Sequence, residues 1–152
     1  MRGIGVDPGW GITIVRVMTG LVFAVHGYEK VVGGLDQVAA GFGRMGIPTP
    51  HVMGPLVAFL ELLGGMLLIV GLGTRLLGLL FAIQMAVATF WVKIPAQGWN
   101  ASDLDRMLLA AGLLLFLAGP GRAALDRAWS RREPERLEWP DREPAAPLRR
   151  DY

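Results

Sequence analysis

Hydrophobic residues are gathered into four long stretches of the chain, separated by short polar segments. Each stretch is apolar on nearly all sides and lacks the polar stripe of a helix on the surface of a soluble bundle. A helix needs roughly 20 residues, at about 1.5 Å each, to cross a hydrocarbon core of about 30 Å. The fourth stretch is the shortest and reaches this length only with its polar first turn. The pattern predicts membrane-spanning helices over residues 10–30, 52–72, 75–94 and 103–119.

Residues that start helices lie before these stretches. Side chains suited to capping a helix N-terminus occur at Asp7, Thr49, Thr74 and Ser102. Asp105, three residues after Ser102, has the spacing of a capping box. Pro55 falls inside the second helix if Thr49 caps it, so that helix either begins near Gly54 or is kinked at Pro55.

A short amphipathic segment separates the first two spans. Its apolar residues recur at helical spacing and form one face: Leu35, Val38, Phe42 and Met45. This spacing predicts a short helix lying on the membrane surface. The predicted fold is therefore all-α: an integral membrane four-helix bundle with a short interfacial helix between helices 1 and 2.

Composition supports a membrane domain followed by a polar tail. The chain is 53% hydrophobic and 18% charged. Residues 121–152 hold eight of its arginines and seven of its acidic residues. Residues 1–127 are predicted to form the transmembrane domain, and residues 128–152, rich in proline and charge, a disordered cytoplasmic tail.

The same composition narrows the chemistry. A chain with no cysteine has no disulfide, thiol redox centre or thiolate-held iron–sulfur cluster. A net charge of only +2 makes nucleic acid an unexpected partner. Walker, dinucleotide-binding, zinc-protease and serine-hydrolase motifs are absent from the sequence, so a self-contained enzyme is not expected. The lipid bilayer is the predicted environment.

Arginine and lysine near the helix ends predict the topology. One side of the four predicted spans would hold Arg2, Arg75, Arg122, Arg127, Arg131 and Arg132. The other side would hold Lys30, Arg44, Lys93 and Arg106. This bias predicts a multi-pass protein of the cytoplasmic membrane with both termini in the cytoplasm.

Three polar residues lie inside the apolar stretches. Counted at about 1.5 Å per residue from the cytoplasmic helix ends, Arg16, Glu61 and Gln84 fall at a similar depth of about 12–15 Å. One interpretation is an Arg16–Glu61 salt bridge, joined by Gln84, that fixes helix register. The other is a ligand site for the head group of a small amphipathic molecule such as a quinol. In that site Glu61 would accept a proton, Arg16 would pair with Glu61 or bind an oxygen, and Gln84 would orient the ring.

A second polar layer is predicted near the outer face. His26, Glu29 and Lys30 share one face of the first helix, while Asp103 and Arg106 open the fourth at a similar height. Such groups are usually solvated or paired with one another. Two histidines in the whole chain, without a ligand-spacing motif, predict no intrinsic metal site.

Several short motifs, in this order, resemble those of one family. They are Arg16 with Gly20, Phe23 and His26-Gly27-x-x-Lys30; Met45-Gly46-Ile47-Pro48; Glu61-Leu62-Leu63-Gly64-Gly65; Leu72-Gly73-Thr74-Arg75; and Gly119-Pro120-Gly121-Arg122 with Leu125-Asp126. Over about residues 12–127 the chain resembles the DoxX-like family of small four-helix membrane proteins. It departs from that family in the loop between helices 3 and 4 and in its arginine-rich tail.

The resemblance implies a link to quinone-dependent redox complexes, because the family takes its name from a subunit of a terminal quinol oxidase. The first hypothesis is a quinol-interacting or accessory subunit of a membrane redox complex, not catalytic alone, with quinone or quinol as its ligand and redox subunits as partners. One alternative is a stand-alone transporter or binding protein for a small lipophilic molecule, which could form a homo-oligomer. The other alternative is a membrane scaffold.

Overall fold

A computed structural model describes residues 7–126, and this part of the chain contains helices and no strands. The helices are α1 (Pro8–Gly33), α2 (Leu35–Arg44), α3 (Pro50–Val70), α4 (Thr74–Ala86), α5 (Ile94–Gln97) and α6 (Asp103–Ala118). A π-helical segment, Val87–Lys93, joins α4 to α5, and a 3₁₀ turn, Trp99–Ser102, precedes α6. The all-α fold predicted from the hydrophobic pattern is confirmed.

Within the described part of the chain, three helical stretches are long and apolar enough to cross a membrane: Pro8–Gly33, Pro50–Val70 and Thr74–Gln97. The fourth predicted span coincides with α6, which has 16 residues. At about 1.5 Å per residue it is about 24 Å long, shorter than a hydrocarbon core of about 30 Å. A full crossing by α6 therefore stays a prediction, and it would need the polar residues at both ends to reach the interfaces.

The bundle consists of two helix pairs, α1 with α3 and α4 with α6. Each pair crosses at two glycines. A Cβ added to Gly20 would lie 2.7 Å from the Gly65 carbonyl oxygen, and one added to Gly78 would lie 2.9 Å from that of Gly112. Small residues allow this approach of two backbones. Gly65 and Gly78 therefore allow the two close crossings.

The two pairs meet at a stacked pair of phenylalanines. Phe23 and Phe81 each lie three residues after the crossing glycine of their helix, and their ring centroids are 3.8 Å apart at an interplanar angle of 7°. Both side chains are almost fully buried. The outward faces of the spans carry exposed apolar side chains such as Ile14, Phe59 and Ile83, as expected where a helix faces lipid.

Gly27 is the tightest contact between α1 and α3. A Cβ at this position would lie 2.7 Å from Leu62 Cα and 2.8 Å from the Glu61 carbonyl carbon. We expect Gly27→Leu to force the helices apart and to lower the free energy of unfolding by about 1–3 kcal/mol or more. Thermal unfolding in detergent measures this loss, with Gly11→Leu as the control, because a Cβ at Gly11 meets nothing within 4 Å. Equal melting temperatures for the two variants would contradict the crossing.

The ends of the helices match the sequence predictions only in part. Asp7 caps α1 by accepting a hydrogen bond from the Gly9 N–H at 2.8 Å, as predicted. Thr49 precedes α3 but makes no capping bond, and because α3 begins at Pro50, Pro55 lies inside that helix. The start near Gly54 is therefore wrong.

The predicted caps at Thr74 and Ser102 are also wrong. Thr74 is already helical, and the carboxylate of Asp126 accepts the N–H groups of Gly73 and Thr74 at 2.8 and 3.0 Å. Ser102 donates instead to the Trp99 carbonyl at 2.9 Å. The predicted partner in its capping box, Asp105, is ion-paired with Lys93 at 2.7 Å.

The short helix predicted between the first two spans is present as α2. It packs mainly on α3, where Ala39 lies against Gly54. Of the predicted apolar face, Leu35, Val38 and Phe42 are half-buried and Met45 is exposed. The predicted tail, 128–152, lies outside the described residues.

Candidate functional site

Glu61 is a buried acid near the middle of α3. It is 3% exposed, and its two carboxylate oxygens have different partners. Oε1 accepts a hydrogen bond from Gln84 Nε2 on α4 at 2.5 Å, and Oε2 pairs with the ammonium of Lys30 on α1. Three helices thus contribute one polar side chain each to a single cluster within the bundle, here called the Glu61 cluster.

Arg16 is not part of this cluster, so the expected Arg16–Glu61 salt bridge does not form. Its guanidinium donates to the carbonyls of Pro120, Ile69 and Ala123 at 2.9, 3.3 and 2.6 Å. Helical side chains lean toward the N-terminus of their helix. The long Arg16 side chain therefore reaches the end of α3 and the segment after α6, where unpaired carbonyls need donors.

Lys30 is the member of the cluster that sequence reasoning assigned elsewhere, to the outer polar layer. Its backbone lies one turn beyond Gly27, which packs against Leu62, and its side chain leans back from there toward Glu61. The sequence did hold a signal for this position of Lys30. A lysine one helical turn after a small residue that forms a close crossing can reach the facing helix.

Gln84 gives the cluster a free acceptor. Its Nε2 must be the atom that faces Glu61, because a carboxylate paired with an ammonium accepts hydrogen bonds. Its Oε1 is then buried and has no hydrogen-bond partner among the described residues. A buried polar atom without a partner is costly, so this oxygen favours a ligand or water that donates a hydrogen bond.

An open groove lies beside Lys30, one member of the Glu61 cluster, at the end of the bundle opposite Asp7. It has a volume of about 320 Å³ and lies between α1 and α2. Its lining consists of His26, Glu29, Lys30, Gly33, Gly34, Gln37 and Val38. Lys30 therefore touches both the buried carboxylate and the groove, and 27% of its side chain is exposed, against 4% for Glu61.

The rest of the predicted outer layer lies apart from this groove. Arg106 pairs with Asp103 and sits over the Trp99 ring, 4.0 Å from its centroid. These residues surround the start of α6, next to the ion pair between partly exposed Lys93 and buried Asp105. Within residues 7–126 no three histidine or acidic side chains are placed to hold a metal ion.

The fold and the apolar faces define an all-α membrane protein. It belongs to the DoxX family, whose model matches residues 11–94. No solved structure matches the chain.

Curated relatives agree with this assignment. The chain is 37% identical over 116 residues to "Putative oxidoreductase CatD" of Bacillus subtilis, covering 76% of this chain and 84% of that protein. It is 30% identical over 122 residues to "Inner membrane protein YqjF" of Escherichia coli, covering 77% and 90%. It is 29% identical over 124 residues to "Inner membrane protein YphA" of the same organism, covering 76% and 88%.

Proposed function

We propose that the Glu61 cluster binds the head group of a quinol and that the protein serves as a quinol-interacting or accessory subunit of a membrane redox complex. The observation that carries this proposal is a buried carboxylate in the middle of a membrane helix, beside a buried amide oxygen that has no partner within residues 7–126. Ionisable groups at this depth are costly and are commonly found at ligand and proton sites.

The donors and acceptors of the cluster suit a ring that carries hydroxyl groups. Gln84 Oε1 accepts a hydrogen bond from one hydroxyl, while Glu61 is placed to accept a proton released nearby. Lys30 balances the charge of Glu61. A bound quinol supplies the electrons, and the side chains of this chain bind it, orient it and hold its proton.

A partner must receive those electrons, because the chain has no cysteine and its described part has no group of metal ligands. The name of the Bacillus relative, a putative oxidoreductase, supports a redox setting. We place the protein in the cytoplasmic membrane with both termini in the cytoplasm, a proposal supported by the positions of its arginines and by the two inner-membrane relatives.

Binding of a short-chain quinol to the purified full-length chain tests the site. We expect Glu61→Gln to weaken binding about tenfold or more, because the neutral amide cannot take the proton and replaces a charged acceptor oxygen with a donor, a loss of at least about 1.4 kcal/mol. The matched control is Asp105→Asn, which changes a second buried carboxylate that also pairs with a lysine. Equal affinity for wild type and Glu61→Gln would place the ligand elsewhere.

Purification in mild detergent from the native host separates the proposed role from its alternatives. A redox subunit that stays bound at near-stoichiometric amount supports the accessory-subunit role. A chain that binds quinol but purifies alone, or only with copies of itself, would instead support a stand-alone binding protein or transporter.

A further inference from the structure

We infer that the groove between α1 and α2 is the outer end of a proton path to Glu61, with Lys30 as the group that links them. This inference rests on the proposed function for the origin of the proton. The path itself consists of residues of this chain. It gives the groove and Lys30 a role beyond charge balance.

Lys30 connects the buried Glu61 carboxylate to the groove. Glu61 is closed off from solvent, yet its Oε2 is in direct contact with the Lys30 ammonium. The same lysine lines the groove, and part of its side chain is exposed. A proton can therefore pass between the buried carboxyl group and bulk water through one side chain.

The groove is lined by two side chains that can accept a proton, His26 and Glu29. His26 Nδ1 bonds the Val22 carbonyl at 2.8 Å. A carbonyl oxygen only accepts, so Nδ1 carries the hydrogen and Nε2 of the neutral ring keeps its lone pair. His26 Nε2 and the Glu29 carboxylate are both able to take a proton from the lysine or from groove water.

The elements packed against α3 are α1, α2 and α4, and their charged and polar groups define the routes open to a proton at Glu61. From α1 the relevant groups are His26, Glu29 and Lys30, and from α2 they are Asp36 and Arg44, both exposed. From α4 the group facing Glu61 is the amide of Gln84, which does not titrate. Among the described contacts of Glu61, Lys30 is the one able to relay a proton.

One proton moves from the ligand to the groove in a series of transfers. Glu61 takes a proton from the ligand and becomes a carboxylic acid, while the Lys30 ammonium releases a proton to groove water, His26 or Glu29. The neutral Lys30 amine then takes the proton from Glu61. The carboxylate and the ammonium are restored, and one proton has moved from the ligand to the groove.

Hydrogen–deuterium exchange of the Glu61 carboxyl tests this path without any ligand. The full chain in detergent is first equilibrated in H₂O acidic enough to show a Glu61 carboxyl band, defined as the band that Glu61→Gln removes. It is then transferred to D₂O of the same acidity, and infrared spectroscopy follows the shift of that band. Gly33 lines the groove and a Cβ there meets nothing within 4 Å, so Gly33→Phe introduces a bulky ring at the groove. Gly11→Phe is the matched control in an equally open position of α1. We expect Gly33→Phe and Lys30→Met to slow exchange by roughly a hundredfold and Gly11→Phe to leave it unchanged.

Exchange at the wild-type rate in Gly33→Phe, or equal slowing in Gly33→Phe and Gly11→Phe, would overturn the path. If Lys30→Met does not fold, Gly33→Phe still decides the role of the groove. If exchange slows as expected while quinol does not bind, the path stands and the ligand proposed for it fails.

Discussion

Arg16→Met is expected to destabilise the protein by several kcal/mol and to leave quinol affinity unchanged. The substitution removes the donor for three carbonyls, those of Ile69, Pro120 and Ala123, and each unpaired buried group costs about 1–3 kcal/mol. It also frees the segment after α6, which Arg16 ties to α1 and α3. Unfolding in detergent measures the loss, and limited proteolysis of residues 119–126 reports the release of that segment.

The control for this variant is Arg75→Met, at the same end of the bundle, because the Arg75 side chain is exposed. We expect it to unfold near the wild-type midpoint. An Arg16→Met protein of normal stability with weakened quinol binding would contradict the structural role assigned to Arg16. Such a result would support the role in the ligand site that was predicted for Arg16 from its depth in the membrane.

Lys30→Met is expected to destabilise the protein by about 3–5 kcal/mol, because it leaves the Glu61 carboxylate buried without its ammonium partner. The double variant Lys30→Met with Glu61→Gln removes both charges and should recover most of this loss. The free energies of unfolding of the two single variants and the double variant measure the coupling between the residues. Lys93→Met is the matched comparison, since Lys93 also pairs with a buried carboxylate.

A double variant no more stable than Lys30→Met would show that the lysine stabilises the bundle through its packing and not through Glu61. Losses of unfolding free energy in the two single variants that simply add in the double variant would lead to the same conclusion. Recovery in the double variant, together with lost quinol binding, would assign Lys30 and Glu61 both a structural and a functional role.

Hydropathy predicted the fold because the signal is long and redundant. An apolar stretch such as 52–72 locates a helix whatever its neighbours do, and α3 lies within two residues of that range at each end. The close crossing at Gly78 was equally predictable, because small residues four apart line one face of a helix.

The local caps were less predictable because the real partners are distant in sequence. The N-terminal N–H groups of α4 are satisfied by Asp126, which lies 52 residues after Thr74. Ser102 donates to the Trp99 carbonyl, and Asp105 is ion-paired with Lys93, nine residues before Ser102. A capping motif read along the chain cannot show such long-range competition.

Two members of the Glu61 cluster were predicted together from the sequence, and the third, Lys30, was not. Glu61 and Gln84 were placed together because their short side chains stay near the depth of their backbones. Counting residues failed for Arg16 and Lys30, whose long side chains both lean toward the N-terminus of α1. This shift takes the Arg16 guanidinium away from Glu61 and brings the Lys30 ammonium to it.

Photolabelling with a quinone that carries a reactive azide, followed by peptide mapping, tests the central claim most directly. The site predicts label concentrated on α3 and α4 close to Glu61 and Gln84, reduced by excess unlabelled quinol and absent in Glu61→Gln. Label spread over lipid-facing positions such as Ile14 and Phe59, at the same level in wild type and Glu61→Gln, would contradict a quinol site at Glu61.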